Sequence, residues 1–160
     1  MDTFFHPRQK AHAPQRELQN GEFVPYAEKP KRLEAILHAL PAPPHAPADF
    51  GEGPLRAVHS DAYIDFLKTV SAQWQASGRP GDAMPYVFPV NAPLHYDHER
   101  VDARLGRFSY DVGTPITPET WVSAYWSAQT ALSALDRIVG GGNRYAFALC
   151  RPPGHHAGAS

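Results

Sequence analysis

The most informative part of the sequence is an apolar run followed by a stiff polar turn. Residues 145–150 read YAFALC and residues 151–158 read RPPGHHAG. The apolar run is too short for a free-standing helix and follows a helical segment and a glycine turn, so we expect a buried, parallel β-strand. In open α/β sheets, ligands bind beyond the carboxyl ends of the strands. The turn after this strand is therefore the first place to look for a functional site.

This turn carries two adjacent histidines, His155 and His156. The prolines before them restrict the backbone, and the glycines on either side allow close approach to another group. Histidine titrates near neutral pH, so the two imidazoles could supply a proton-transfer base and a polarising neighbour. Taken alone, such a pair is more simply a pair of surface or hydrogen-bonded histidines, and it is a poor metal clamp by itself.

Three other segments have apolar residues at helical spacing: 30–40, 61–76 and 118–139. Pro30 suits the start of the first, Ser60 is the expected N-cap of the second, and Thr117 that of the third. The glycines at 140–142 end the third helix. Residues 55–59 are predicted to form a short strand or a strand-like lead into Ser60, and the first 25 residues contain no clean periodic run.

Residues 78–112 predict a long loop. Loops of this length without structure of their own are uncommon and are usually functional or disordered. The aromatic residues in this stretch favour an ordered loop that packs on something. Its prolines stand at positions 80, 85, 89 and 93.

The composition is that of a folded protein forming one domain or part of one. The 160 residues carry 15 basic and 16 acidic side chains, and the net charge of −1 gives no global reason to bind nucleic acid or an anionic membrane. The hydrophobic share of 42% argues against disorder despite 17 prolines. One cysteine excludes an internal disulfide. There is neither a signal-peptide pattern nor an apolar run of about 20 residues, so a cytoplasmic protein is expected.

The string CRPPGHHAG at 150–158 resembles the signature of the histone deacetylase and acetylpolyamine amidohydrolase superfamily. Further segments are similar to the acetylpolyamine branch in the same order: 17–25, 57–67, 88–90 and 117–121. The resemblance implies an arginase/deacetylase-like α/β fold with three layers and a mostly parallel sheet. It also implies that residues 1–160 are the N-terminal portion of a single catalytic domain.

The reaction implied by this resemblance is zinc-dependent hydrolysis of an N-acetyl amide to an amine and acetate. His156 would be the general base toward the attacking water and later an acid toward the leaving amine, with His155 as its electrostatic or accessory acid partner. In the family the zinc ligands follow the paired histidines. We therefore expect no metal ligand in this chain, ligands downstream of Ser160, and no activity from the 160 residues alone.

The resemblance also implies a substrate and a partner. Glu17 matches the acidic position of the family's ELxxGE segment, and Asp102 falls where the acetylpolyamine branch has another carboxylate. Both are expected to bind a small acetylated amine, since a cationic substrate favours carboxylates near the mouth of its site. Residues 78–112 correspond to an insertion that packs against a second subunit in these relatives, so a homodimer is expected.

Two rival interpretations remain open at this point. The nearest is a deacetylase acting on acetyl-lysine in proteins, by the same chemistry with a more open mouth. The other is a catalytically inactive binding or scaffold fragment that lacks the metal ligands. A nucleotide-binding domain is disfavoured, because the glycines at 140–142 precede a strand, whereas phosphate-binding loops follow a strand and open a helix.

Overall fold

The computed structural model describes residues 1–88 and 98–159. The chain forms two compact units. The first contains Met1–Ala13, Glu28–Val58 and Glu119–His155, and the second contains residues 14–27, the described part of 59–118, and the chain from residue 156 onward. In chain order the elements are β1 (Asp2–Phe4), a 3₁₀ helix (Pro7–Lys10), β2 (Arg16–Gln19), β3 (Glu22–Pro25), α1 (Pro30–Ala39), α2 (Gly53–Arg56), α3 (Asp61–Ala76), α4 (Val101–Arg107), α5 (Thr120–Val139) and β4 (Ala146–Ala148).

The first unit is organised by a parallel pair of strands, β1 and β4, in which Phe4 is opposite Ala148. Parallel strands need a long crossover connection, and here the connection includes α1 and α5. The pairing confirms the parallel strand predicted from the apolar run. The strand is half-buried rather than buried, and Tyr145 before it is 68% exposed. Phe147 of β4 packs against a core cluster formed by Phe5, Leu33 and Leu149.

The predicted helix starts are right at two places and wrong at one. Pro30 opens α1, and the Ser60 side chain accepts from the Tyr63 backbone N–H at 3.3 Å as the N-cap of α3. Thr117 is not the N-cap of α5, which begins at Thr120 after a turn. The reason is that Ile116 exchanges two backbone hydrogen bonds of 2.9 Å with Ala83, which keeps the chain extended just before Thr117.

One other local prediction is wrong. Residues 55–59 contain no strand, because α2 starts with a proline in its first turn and the Ala57 N–H bonds to the Gly53 carbonyl at 3.0 Å. The first 25 residues, which show no clean periodic run, contain β1 and the antiparallel hairpin of β2 and β3. Asn20 and Gly21 form the hairpin turn with φ of 51° and 86°. That Asn-Gly pair is a strong local hairpin signal, although the strands beside it are too short to show a clear period.

The core of the second unit lies between α3 and residues from the predicted long loop at 78–112. The core cluster contains Phe66, Val70, Trp74, Ala83, Val101, Leu105 and Ile116. The loop prediction is wrong for residues 101–107, where α4 buries Leu105 completely. The prolines at 89 and 93 lie outside the described residues. Within the described parts of the chain, no helix is both long and apolar enough to span a bilayer.

Candidate active site

The exit of β4 is fixed by a buried arginine. The ladder extends past β4, since the Leu149 N–H donates to the Phe4 carbonyl at 3.0 Å. Arg151 follows two residues later and is only 2% exposed. Burying a guanidinium is unfavourable unless its donors are satisfied, so the partners of Arg151 decide whether this position is stable.

Arg151 finds partners in Gln9 and Glu28. Its backbone N–H donates to Gln9 Oε1 at 2.6 Å, and its Nη1 donates to the Gln9 carbonyl at 2.9 Å. On the other side, Nε donates to Glu28 Oε1 at 3.1 Å and Nη2 donates to the Glu28 carbonyl at 3.1 Å. These contacts give Arg151 a structural role at the end of the strand. They anchor the residue from which residues 152–155 leave the strand.

Both histidines are exposed, with His155 belonging to the first unit and His156 to the second. The ring of His156 stacks on Tyr110 with the centroids 4.8 Å apart and the planes 16° from parallel. This stacking limits the rotation of the His156 ring while leaving its edge accessible. Tyr110 is itself 74% exposed, so the pair forms part of the surface.

The chain just beyond the histidines is held against the start of α3. His59 Nδ1 donates to the Gly158 carbonyl at 2.7 Å, and the Ser60 N–H donates to the Ala159 carbonyl at 2.7 Å. Since a carbonyl oxygen only accepts, the hydrogen on His59 is on Nδ1. Sequence reasoning assigned neither Tyr110 nor His59 to the site. The one available signal for His59 was its place directly before the Ser60 cap.

Glu17 lies on β2 opposite Val24 and is half-buried. Its Oε2 accepts from the Ala27 N–H at 3.5 Å, a long contact. A carboxylate with one weak internal hydrogen bond keeps most of its capacity to accept from a ligand. Its predicted role in binding an amine remains a prediction.

Asp102 has a different environment. It lies in the first turn of α4, is 4% exposed, and forms ion pairs with Arg79 at 2.6 Å and Arg100 at 2.8 Å. Tyr86 also donates its hydroxyl to Asp102 Oδ2, at 3.2 Å. Hydrogen bonds from Arg100, together with Tyr86 and the Arg79 charge, hold the pKa of Asp102 far below its usual range despite burial. Its charge is thus already paired inside the protein.

The described residues do not assemble a metal site by themselves. Over residues 1–88 and 98–159, no three His, Cys, Asp or Glu side chains come together in a way that could hold a metal ion. Paired imidazoles without further ligands do not meet the needs of a zinc site, which requires at least three protein ligands. Imidazole side chains such as these are able to accept and donate protons.

A family model described as "Histone deacetylase domain" matches residues 26–160. The chain belongs to this family. The structure is also similar to that of an acetylpolyamine aminohydrolase from Burkholderia pseudomallei, with a TM-score of 0.85 and 39% identity over 98% of this chain and 46% of that one. This confirms the arginase/deacetylase-like α/β fold.

Relatives of known name point the same way. The chain is 39% identical to acetylpolyamine amidohydrolase 2 of Pseudomonas aeruginosa over 99% of its own length and 47% of the relative's. It is 42% identical to acetylpolyamine amidohydrolase 1 of the same organism over 93% and 44%. These relatives are hydrolases of the deacetylase family. The chain spans slightly under half of their length.

Proposed function

We propose that this chain is the N-terminal portion of the catalytic domain of a zinc-dependent deacetylase that hydrolyses N-acetyl amides of small amines such as acetylpolyamines. The observation that carries the proposal is the identity of about 40% with acetylpolyamine amidohydrolases across nearly the whole chain. The histidine pair at the exit of β4 supplies side chains that can carry out the proton transfers of such a reaction.

His156 acts as the general base in this proposal, and His155 is its accessory partner. His156 takes the proton of the attacking water and later protonates the leaving amine, which requires a group that titrates near neutral pH. The stacking of its ring on Tyr110 supports the role, because a base must be oriented before the reaction. His155 directly precedes His156 in the chain, which places it beside the base as the accessory partner.

A zinc ion, when bound, would polarise the acetyl carbonyl and lower the pKa of its bound water. We propose that its ligands are residues that this chain does not contain. In this proposal the imidazoles of His155 and His156 transfer protons and do not coordinate the metal.

The proposed substrate is cationic, and Glu17 suits its recognition better than Asp102. The Glu17 carboxylate has one long hydrogen bond, whereas the Asp102 carboxylate already accepts from two arginines and Tyr86. An ion pair with an incoming amine would have to displace one of those donors from Asp102. We retain both residues as amine-binding candidates and expect the larger effect on KM from Glu17.

We further propose a cytoplasmic homodimer whose contact includes residues 78–112. This segment presents Tyr86, 69% exposed, and Val87, 57% exposed, at its surface. Apolar side chains next to each other on a surface are a common feature of subunit contacts.

The decisive experiment measures hydrolysis by the longest natural polypeptide that contains these residues. Its kcat/KM is compared for acetylputrescine and for an acetyl-lysine peptide, with and without a zinc chelator. We expect the small amine to be preferred, chelation to abolish turnover, and His156→Ala to lower kcat by at least about a hundredfold, as for the loss of a general base. His38→Ala, an exposed histidine on α1, is the matched control and should be unaffected.

Three outcomes would contradict the proposal. Preference for the peptide would favour a protein deacetylase. Full activity of His156→Ala would remove the histidine pair from the mechanism. A zinc-loaded protein that hydrolyses neither substrate would leave a scaffold role.

A further inference from the structure

The first unit contains a buried polar seam where the 3₁₀ helix and the residues after it pack on α5. Polar side chains are rare in a core unless each has a partner. The seam contains the following buried polar residues: Gln9, His12, Thr120, Ser123 and Thr130. Two of its bonds join His12 Nδ1 to Thr120 Oγ1 at 2.9 Å and the Ser123 hydroxyl to the Arg8 carbonyl at 2.9 Å.

Gln9 is the member of this seam that also touches the exit of β4. It is 0% exposed, and the two polar atoms of its side-chain amide contact different parts of the fold. Nε2 donates to Thr130 Oγ1 on α5 at 3.0 Å, while Oε1 accepts from the Arg151 N–H at 2.6 Å. One side chain thus connects the long helix with the residue that begins the turn.

The orientation of the Gln9 amide is fixed by Thr130. The Thr130 hydroxyl has a single hydrogen, which it donates to the Trp126 carbonyl at 2.6 Å. Its oxygen can therefore only accept from Gln9 Nε2, and this places Gln9 Oε1 toward Arg151. The opposite orientation of the Gln9 amide is excluded. It would turn Nε2, a donor, toward the buried Arg151 N–H, which needs an acceptor.

We propose that Gln9 is a positioning residue for the histidine pair and acts through the backbone of Arg151. Only Pro152, Pro153 and Gly154 separate Arg151 from His155. Because each proline has a fixed φ, the segment from Arg151 to His155 has few accessible conformations. The position of the Arg151 backbone therefore restricts the position of His155. The effect of Gln9 on catalysis rests on the proposed function, whereas its effect on the Arg151 backbone does not.

Gln129 provides a matched control within the same unit. It is also 0% exposed, lies on α5, and uses both ends of its amide. Its Oε1 accepts from the Phe50 N–H at 2.7 Å, and its Nε2 donates to the Gly51 carbonyl at 3.1 Å. A substitution at Gln129 therefore breaks the same kinds of bond without touching Arg151.

The test compares Gln9→Leu with Gln129→Leu by two measurements. The first is hydrogen exchange at the Arg151 amide, for which we expect about tenfold or more acceleration in Gln9→Leu, since a buried donor loses its acceptor, and no change in Gln129→Leu. The second is steady-state kinetics, in which Gln9→Leu should lower kcat by about tenfold with little change in KM, while Gln129→Leu keeps kcat.

Two further variants keep the test valid if Gln9→Leu fails to fold. Gln9→Glu retains an acceptor for the Arg151 N–H but loses the donor to Thr130 Oγ1, so it should restore the protection and kcat in part relative to Gln9→Leu. Thr130→Val removes only the group that orients the amide and should give a smaller effect in the same direction.

Equal losses of kcat in Gln9→Leu and Gln129→Leu, or unchanged exchange at Arg151, would overturn the inference. An inactive wild type would count against the proposed function alone, because the exchange comparison still decides the role of Gln9.

Discussion

Arg79 Nη2 lies 2.6 Å from Asp102 Oδ2, which ties the chain after α3 to the buried side of α4. Arg100 approaches the same carboxylate from the residues before the helix. The carboxylate is 4% exposed, so these donors replace the water that it would otherwise bind. Asp102 thereby fixes the described part of residues 78–112 in place, whatever else it does.

Asp102→Asn should therefore destabilise the protein at neutral pH. The amide keeps the shape but loses the charge that both arginines face, and we expect a loss of about 2 kcal/mol in the free energy of unfolding, measured in urea at pH 7. Glu99→Gln changes an exposed acid in the same segment and should leave the free energy unchanged. Equal stability of wild type and Asp102→Asn would show that the pairing does not stabilise the fold.

The pH dependence of this effect has a defined sign. The folded-state pKa of Asp102 is held below its unfolded value by Arg100, Tyr86 and Arg79. The stabilisation is therefore complete above about pH 4 and is lost as the pH falls toward the folded pKa. Between pH 5 and pH 3, stability should fall less steeply in Asp102→Asn than in wild type. A parallel decline in both proteins would contradict this assignment.

His12 should control stability in a higher pH range. Burial, reinforced by the Arg151 charge, lowers the pKa of His12 to about 4. The unfolded chain binds a proton at this residue below about pH 6.5 while the folded chain does not, so stability is complete above that pH and falls as the pH drops toward 4. We expect the free energy of unfolding to be lower at pH 5 than at pH 7 by about 2 kcal/mol because of this residue.

The measurement for His12 is the difference in urea-unfolding free energy between pH 7 and pH 5. His12→Asn can still hydrogen-bond to Thr120 but does not titrate, so this difference should shrink. His38→Gln removes an exposed histidine and should leave it unchanged. If His12→Asn retains the full difference, another group is responsible.

Gly106 allows α4 to approach the chain at Val87. A Cβ at Gly106 would clash with the Val87 carbonyl oxygen, a backbone atom that cannot move without shifting its segment. Gly106→Ala should therefore destabilise the protein by about 1–3 kcal/mol, although alanine is the better helix former. Gly53→Ala in α2 meets nothing within 4 Å and should be neutral or slightly stabilising by the same urea measurement. A stable Gly106→Ala would show that α4 lies farther from Val87.

The sequence predicts those parts of the structure that depend on neighbouring residues or on a distinctive string. The Ser60 cap, the Pro30 helix start and the strand before Arg151 are of this kind. The partners of Asp102 could not be predicted, because Arg79 and Arg100 are two of many arginines and only the fold selects them. Gln9 and Arg151 lie 142 positions apart, and no local pattern marks a glutamine as the acceptor for a particular backbone N–H. The proposed roles of the two histidines rest on the resemblance, since their spacing alone does not distinguish catalysis from a surface pair.

Val87 tests the proposed homodimer. A new charge at an apolar contact must be buried without a partner, so Val87→Glu should convert a dimer to monomers in sedimentation velocity. The substitution should be tolerated within one subunit, because the side chain is 57% exposed. Val58→Glu is the matched control: Val58 is 67% exposed but lies outside residues 78–112, and its variant should remain dimeric. A wild type that sediments as a monomer would refute the homodimer, and a Val87→Glu variant that stays dimeric would place the contact elsewhere.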